Sequence, residues 1–148
     1  YAAVSGGGTV LAPFNKRILS NNFTTETLPF VYIANISELN EQLQQSKLEG
    51  KSVMLDFYAD WCIECKQMEA HTFSKLSVQE ILQDINLLKA DVTKNNDSDK
   101  ILLKHFGLFG PPAIIFFNQQ SEEIKSHRLI GFFKPENFIE HIKQVKSL

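Results

Sequence analysis

Residues 52–65 read SVMLDFYADWCIEC, an apolar run that leads through a short turn into two cysteines. The run from Ser52 to Tyr58 is almost continuously apolar, which is typical of a central parallel strand covered on both faces. Residues 59–61 follow as a turn, and the pattern from Cys62 to about Phe73 predicts a helix. Both cysteines are therefore expected at the N-terminus of a helix that follows the central strand.

Strands and helices alternate on both sides of this stretch. Upstream, the sequence predicts a strand at 30–33 and a helix that begins near Ser37 and ends at Gly50. Downstream, the predicted elements are a short helix with a capping box over 77–80, a strand at 86–92, a helix at 98–106, strands at 113–118 and 128–131, and a helix at 135–145. The order βαβαβαββα predicts an α/β fold with a mixed central sheet, three parallel strands plus an antiparallel hairpin, flanked by helices.

Composition limits the class of protein. The chain has 148 residues, of which 43% are hydrophobic, enough for one domain with its own core. Its formal charge of −2 comes from interspersed acids and bases, which argues against nucleic acid and anionic lipid as partners. Apolar runs such as 113–117 are far shorter than the ~20 residues of a membrane-spanning helix, so this segment is not expected to span a membrane. Nothing in the sequence demands more than a monomer.

Residues 1–29 differ in composition from the rest of the chain. They are rich in Gly, Ser, Thr and Asn, include Gly6-Gly7-Gly8, and lack helical or strand periodicity. We interpret them as a flexible linker or tail. A tether to a preceding domain and an expression remnant fit this composition equally well. The folded domain is expected over 30–148, with any leader or membrane segment outside this sequence.

The two cysteines, three positions apart, suit thiol–disulfide exchange. The attacking species is a thiolate, and the N-terminus of a helix can stabilise that anion at Cys62. Cys65 lies one helical turn further on, close enough to attack a mixed disulfide on Cys62 and release the reduced partner. The alternatives are two incidental cysteines or half a zinc site, but the four histidines show no clustering that would complete one. We expect a redox pair and no metal.

Two acidic residues are placed to converge on the cysteines. Glu69 continues the helical stripe of Cys62 and Cys65 at i, i+3 and i+7, and Asp56 lies in the strand that leads into the turn. An acid within an apolar run is costly to bury unless it is partnered or protonated, which favours a role for Asp56. Carboxylates near a thiol oppose its ionisation, and a carboxyl of raised pKa can carry the proton that the resolving thiol loses. The alternative for Glu69 is an exposed helix acid, and Glu64 is expected to face solvent.

The stretch from Tyr58 to Lys66 resembles the thioredoxin superfamily, in which a tryptophan precedes a redox-active Cys-x-x-Cys after the central strand. Gly110-Pro111-Pro112-Ala113, before a later strand, strengthens this resemblance. The chain further resembles the C-terminal periplasmic domains of the DsbD family of membrane electron transporters, through segments 53–65, 71–74 and 102–105. The resemblance covers most of residues 30–145 and implies a thioredoxin fold.

The resemblance also implies an activity and a location. It implies a protein-disulfide reductase on the periplasmic side of a bacterial inner membrane, as a domain of a membrane protein. This domain would take electrons from a membrane-embedded domain and pass them to a periplasmic partner domain, which serves disulfide isomerisation and cytochrome c maturation. Asp56 and Glu69 match the family's two acids, and no cofactor is implied beyond the Cys62–Cys65 disulfide. The alternatives are a stand-alone thioredoxin-like reductase and a redox-insensitive binding module.

Three further residues are candidates for binding a protein partner. The family places a cis-proline opposite the redox pair, and Pro112 matches that position, although a proline that begins a strand needs no function. Pro111 departs from the family pattern, and because proline has no N–H, one hydrogen bond to a bound peptide is expected to be missing. Trp61 either belongs to a docking surface or packs against the helix.

Overall fold

The computed structural model describes residues 28–148. Residues 1–27, nearly all of the predicted linker, lie outside the described residues. Leu28, two residues before the predicted start of the domain, is 8% exposed and belongs to a core cluster.

A five-stranded mixed sheet forms the centre of the domain. Its strands are β1 (Val31–Tyr32), β2 (Ser52–Tyr58), β3 (Ile85–Asp91), β4 (Ala113–Phe117) and β5 (Leu129–Ile130). Their order across the sheet is β1-β3-β2-β4-β5. The first three are parallel neighbours, β4 runs antiparallel to β2, and β5 runs antiparallel to β4. The predicted sheet of three parallel strands and an antiparallel hairpin is confirmed.

Within residues 28–148, five α-helices cover the two faces of this sheet. They are α1 (Ile36–Glu49), α2 (Ile63–His71), α3 (Leu76–Ile81), α4 (Asp97–His105) and α5 (Pro135–Lys146), and a 3-10 turn spans Lys125–His127. Side chains of α1 and α4, such as Leu39 and Leu102, pack in one core cluster. Side chains of α2, α3 and α5, such as Met68 and Phe138, pack in a second cluster on the other face. Strand β2 contributes to both clusters, which explains its continuous apolar sequence.

Several helix starts differ from the sequence prediction. Helix α1 is capped by Asn35 rather than Ser37, because the Asn35 side chain accepts a hydrogen bond from the Glu38 N–H at 2.8 Å. Helix α3 begins at Leu76 without a side-chain cap, so Ser77 lies inside the helix and residues 77–80 form no capping box. Helix α4 begins at Asp97, one residue earlier than predicted. A reciprocal capping box between Asn96 and Asp99 forms at this start. The predicted end of α1 at Gly50 is confirmed, with a left-handed φ of 70°.

Candidate active site

Strand β2 leads directly into the cysteine pair. After Tyr58 and the turn of residues 59–61, Cys62 is the N-cap residue of α2. Its Sγ accepts a hydrogen bond from the Cys65 N–H at 3.2 Å. The two sulfurs form a disulfide, with the Cα atoms 5.3 Å apart. The pair thus lies at the positive end of the helix dipole, as the sequence predicts.

Both cysteines are almost completely buried. The exposed fractions are 7% for Cys62 and 5% for Cys65, which pack in the same cluster as Phe57 and Ala59. The Cys65 Sγ lies 3.8 Å from the carbonyl oxygen of Phe57. When the disulfide is reduced, this carbonyl can accept a hydrogen bond from the Cys65 thiol, so the neutral thiol has a partner at this position.

Asp56, the residue before Phe57, is buried within β2. It is 7% exposed. Burial raises the pKa of Asp56 to about 7, while the nearby Lys89 opposes that rise and Glu69 adds to it. Its carboxyl therefore gains or loses a proton near neutral pH, as a proton carrier must.

Lys89 is a residue of the site that the sequence analysis missed. It lies opposite Asp56 in the register of β3 against β2 and is 4% exposed. Its Nζ is 2.6 Å from the Glu69 Oε2 and 3.9 Å from the Asp56 Oδ2. A signal was present, because a lysine within the apolar run Leu87-Leu88-Lys89-Ala90 requires a partner when it is buried.

The structure brings Asp56 and Glu69 together around Lys89. The Glu69 side chain is 41% exposed and pairs with the lysine from α2, so it is not an unpartnered helix acid. With all three groups ionised the cluster has a net charge of −1, and a proton on Asp56 makes it neutral. The backbone connects Asp56 to the cysteines, since Phe57 follows Asp56 and the Phe57 carbonyl oxygen lies 3.8 Å from the Cys65 Sγ. Glu64 is exposed, as expected.

Trp61 lies at the surface next to the cysteine pair. Its side chain is 60% exposed, and its Nε1 donates a hydrogen bond to the Thr93 carbonyl at 3.0 Å. The Thr93 Oγ1 accepts from the Asp60 N–H at 2.9 Å and donates to the Asp91 carboxylate. The loop after β3 therefore fixes the turn before the cysteines. Ile63, the residue after Cys62, is also exposed, at 73%.

The proline pair lies at the same end of the sheet. The peptide bond between Pro111 and Pro112 is cis, as the resemblance implies for Pro112. Strand β4 follows, and its first residue Ala113 pairs with Phe57 near the end of β2. Phe109, in the loop before the prolines, is fully exposed. Trp61, the prolines and Phe109 are thus carried by segments that adjoin the ends of β2 and β4.

Residues 28–148 contain neither a metal-binding cluster nor a membrane-spanning helix. No group of three or more His, Cys, Asp or Glu side chains in this part of the chain could hold a metal ion. No helix in the same range is long and apolar enough to cross a membrane.

Residues 39–146 match the family model of the thioredoxin-like domain. The chain belongs to the thioredoxin-like domain family. Among solved structures, the C-terminal domain of DsbD from Neisseria meningitidis in the oxidised form is 34% identical, with a TM-score of 0.68. That match covers 78% of this chain and 100% of the solved one. The predicted fold and the predicted resemblance to DsbD C-terminal domains are confirmed.

Two curated relatives of this chain are also DsbD proteins. The thiol:disulfide interchange protein DsbD of Vibrio cholerae serotype O1 is 46% identical over 117 residues, and that of Salmonella typhimurium strain LT2 is 49% identical over 115. These matches cover 79% and 78% of this chain and 20% of each relative. The chain thus spans about a fifth of the length of these relatives.

Proposed function

We propose that this domain is a thiol–disulfide oxidoreductase that relays electrons between protein partners through Cys62 and Cys65. The observation that carries the proposal is the disulfide at the N-terminus of α2, backed by a buried acid whose pKa is about 7. An exposed tryptophan and the proline loop adjoin this site. The curated relatives, which are named thiol:disulfide interchange proteins, support the same chemistry.

The domain is first reduced by a dithiol donor. A donor thiolate attacks the Cys62 Sγ and forms a mixed disulfide, and Cys65 leaves as a thiolate. Asp56 in its protonated form supplies a proton to Cys65, and the donor's second thiolate then displaces Cys62. The donor leaves as a disulfide, and the domain has gained two electrons.

The domain then reduces its acceptor by the reverse chemistry. The Cys62 thiolate, at the N-terminus of α2, attacks the acceptor's disulfide. Asp56, now a carboxylate, accepts the proton of the Cys65 thiol, which attacks Cys62 and releases the acceptor as a dithiol. Trp61, Pro111 and Pro112 form the surface against which the partner docks, and Pro111 offers it no N–H.

The relay places the domain on the periplasmic side of a bacterial inner membrane, within a longer DsbD-type membrane protein. A membrane-embedded domain is the donor, and a periplasmic domain that serves disulfide isomerisation and cytochrome c maturation is the acceptor. The identity of 46% and 49% to two DsbD proteins supports this assignment over a stand-alone reductase. No bound cofactor takes part, since both electrons are held in the Cys62–Cys65 pair.

Trapping of the mixed disulfide tests the proposal. Without a resolving thiol, a reduced Cys65→Ser variant should form a stable disulfide-linked adduct with a disulfide-bearing protein, visible as a band on non-reducing gels. Cys62→Ser is the matched control and should form none. Adducts with Cys62→Ser but not with Cys65→Ser would reverse the roles of the two cysteines. If neither variant forms an adduct, the proposed function is wrong.

A further inference from the structure

We infer that Phe30 is a positioning residue for the buried Asp56–Lys89–Glu69 cluster, so that the entry segment of residues 28–30 belongs to the proton-handling part of the active site. The inference rests on the proposed function and deepens it. It assigns a role to a residue that precedes the first strand and lies far in sequence from the cysteines.

Two aromatic rings enclose the Lys89 ammonium. Its Nζ lies 4.4 Å from the ring centroid of Phe30 and 4.8 Å from that of Tyr58. Both distances are within the range of a cation–π interaction, which is strongest where water is excluded. Since Glu69 and Asp56 also approach Nζ, the ammonium is held by two carboxylates and two rings, and Phe30 is the ring supplied from outside the central strands.

The entry segment holds Phe30 firmly in this position. The Phe30 ring packs on Phe73 with centroids 5.8 Å apart, and its N–H donates to the Leu28 carbonyl at 2.8 Å. Leu28 is buried in the same cluster as Phe73. Further along, the Ile33 N–H donates to the Lys89 carbonyl at 2.9 Å. The first described residues thus bind the backbone of Lys89 and cover its side chain.

Two charged groups act on Asp56, namely Lys89 on β3 and Glu69 on α2. The Tyr58 ring on β2 faces Lys89 and adds no charge near pH 7, because a phenol ionises only at about pH 10 or above. Burial is the largest influence on Asp56 and raises its pKa, and the attraction of Lys89 is the smaller, opposing one. Loss of the Phe30 ring admits water to the cluster, which weakens both the effect of burial and the attraction of Lys89. Because the effect of burial is the larger of the two, we expect the pKa of Asp56 to fall.

The test is a titration of the Asp56 carboxyl carbon by NMR in the oxidised domain. Phe30→Ala should lower the apparent pKa of Asp56 by at least about half a unit. Phe30→Tyr, which retains the ring, should keep the wild-type value. Val31→Ala removes an exposed neighbouring side chain and is the matched control, with no expected change.

Phe30→Leu carries the test if Phe30→Ala does not fold, because leucine retains apolar volume without the ring; a smaller fall is expected. An unchanged Asp56 titration in the folded variant of this pair overturns the inference, and so does an equal change in Val31→Ala. Adduct formation by Cys62, measured in the same variants with Cys65→Ser, separates the two hypotheses. If the adduct forms while the titration is unchanged, only the role of Phe30 is wrong; if the parent Cys65→Ser domain forms no adduct, the proposed function is wrong.

Discussion

Asp56 makes the stability of the folded domain depend on pH. Its pKa is raised from 3.8 to about 7, so between these values the folded chain binds a proton that the unfolded chain has lost. The free energy of unfolding should therefore fall as the pH rises from about 4 to 7, and stay low above that. At 1.36 kcal/mol per pKa unit, the full loss is on the order of 4 kcal/mol.

Asp56→Asn should remove this dependence, since the amide resembles the protonated acid and does not titrate. We expect the variant to match wild type near pH 4 and to be more stable by a few kcal/mol at pH 8. Urea unfolding at pH 4, 6 and 8 measures this, with the exposed Glu140→Gln as the control. If the free energies of unfolding of wild type and Asp56→Asn change in parallel with pH, the acid is not buried as described.

Lys89 should lower the pKa of Asp56, because its ammonium opposes the rise that burial causes. Lys89→Met replaces the charge with an apolar side chain of similar length, so the pKa of Asp56 should rise above its wild-type value. The pH profile for reduction of the domain by a dithiol should shift upward with it. The exposed Lys66→Met, on α2, is the control, and a downward shift in Lys89→Met would contradict the charge assignment.

The sequence alone identified most residues of the candidate site, but not the contacts between them. Asp56 was noticeable because an acid interrupts an apolar run, and Glu69 because it follows the cysteines at helical spacing. Lys89 interrupts an apolar run in the same way, yet its meaning depends on the register that places β3 beside β2. Such long-range pairing has no local signal in the sequence.

At the level of elements, the loop after β3 should control the turn before the cysteines. Thr93→Val removes the hydroxyl that bonds the Asp60 N–H and the Asp91 carboxylate, and should lower the free energy of unfolding by about 1 kcal/mol. Thr93→Ser retains the hydroxyl and should show a smaller loss. Urea unfolding compares the two. Equal losses would indicate that the threonine methyl, rather than its hydroxyl, stabilises the turn.

The helix starts offer a second test at this level. Asn96→Ala removes the capping box of α4 and should cost about 1 kcal/mol, whereas Ser98→Ala, at the start predicted from the sequence, should change stability little. Thermal or urea unfolding of both variants decides between the two residues. A larger loss in Ser98→Ala would contradict the capping role of Asn96.

The elements themselves could be predicted more easily than their ends. The continuous apolar run predicted β2, and the proline at its start predicted α5, each to within a residue of the observed bounds. Capping depends on which of several nearby polar side chains reaches a free N–H. Asn35 and Ser37, or Asn96 and Ser98, are equivalent candidates by composition, and backbone geometry alone selects the asparagines.

At the scale of the whole molecule, the fold serves the chemistry by placing one strand at the centre. Strand β2 lies between β3 and β4, so it carries Asp56 beside Lys89 and ends next to both the cysteine turn and the proline loop. The alternation of strands and helices predicted the parallel strands, and the continuous apolar run predicted that β2 is central. It did not predict that the entry segment of residues 28–30 closes the buried charge cluster, because that contact joins distant parts of the chain.

The reduction potential of the Cys62–Cys65 pair tests the central claim most directly, that this domain passes electrons to protein disulfides. It is measured by equilibration of the domain in thiol redox buffers at pH 7, followed by alkylation to trap the reduced form. The account predicts a value near that of thioredoxin, about −270 mV. A value near −120 mV would make the pair a strong oxidant and contradict the proposed direction of electron flow.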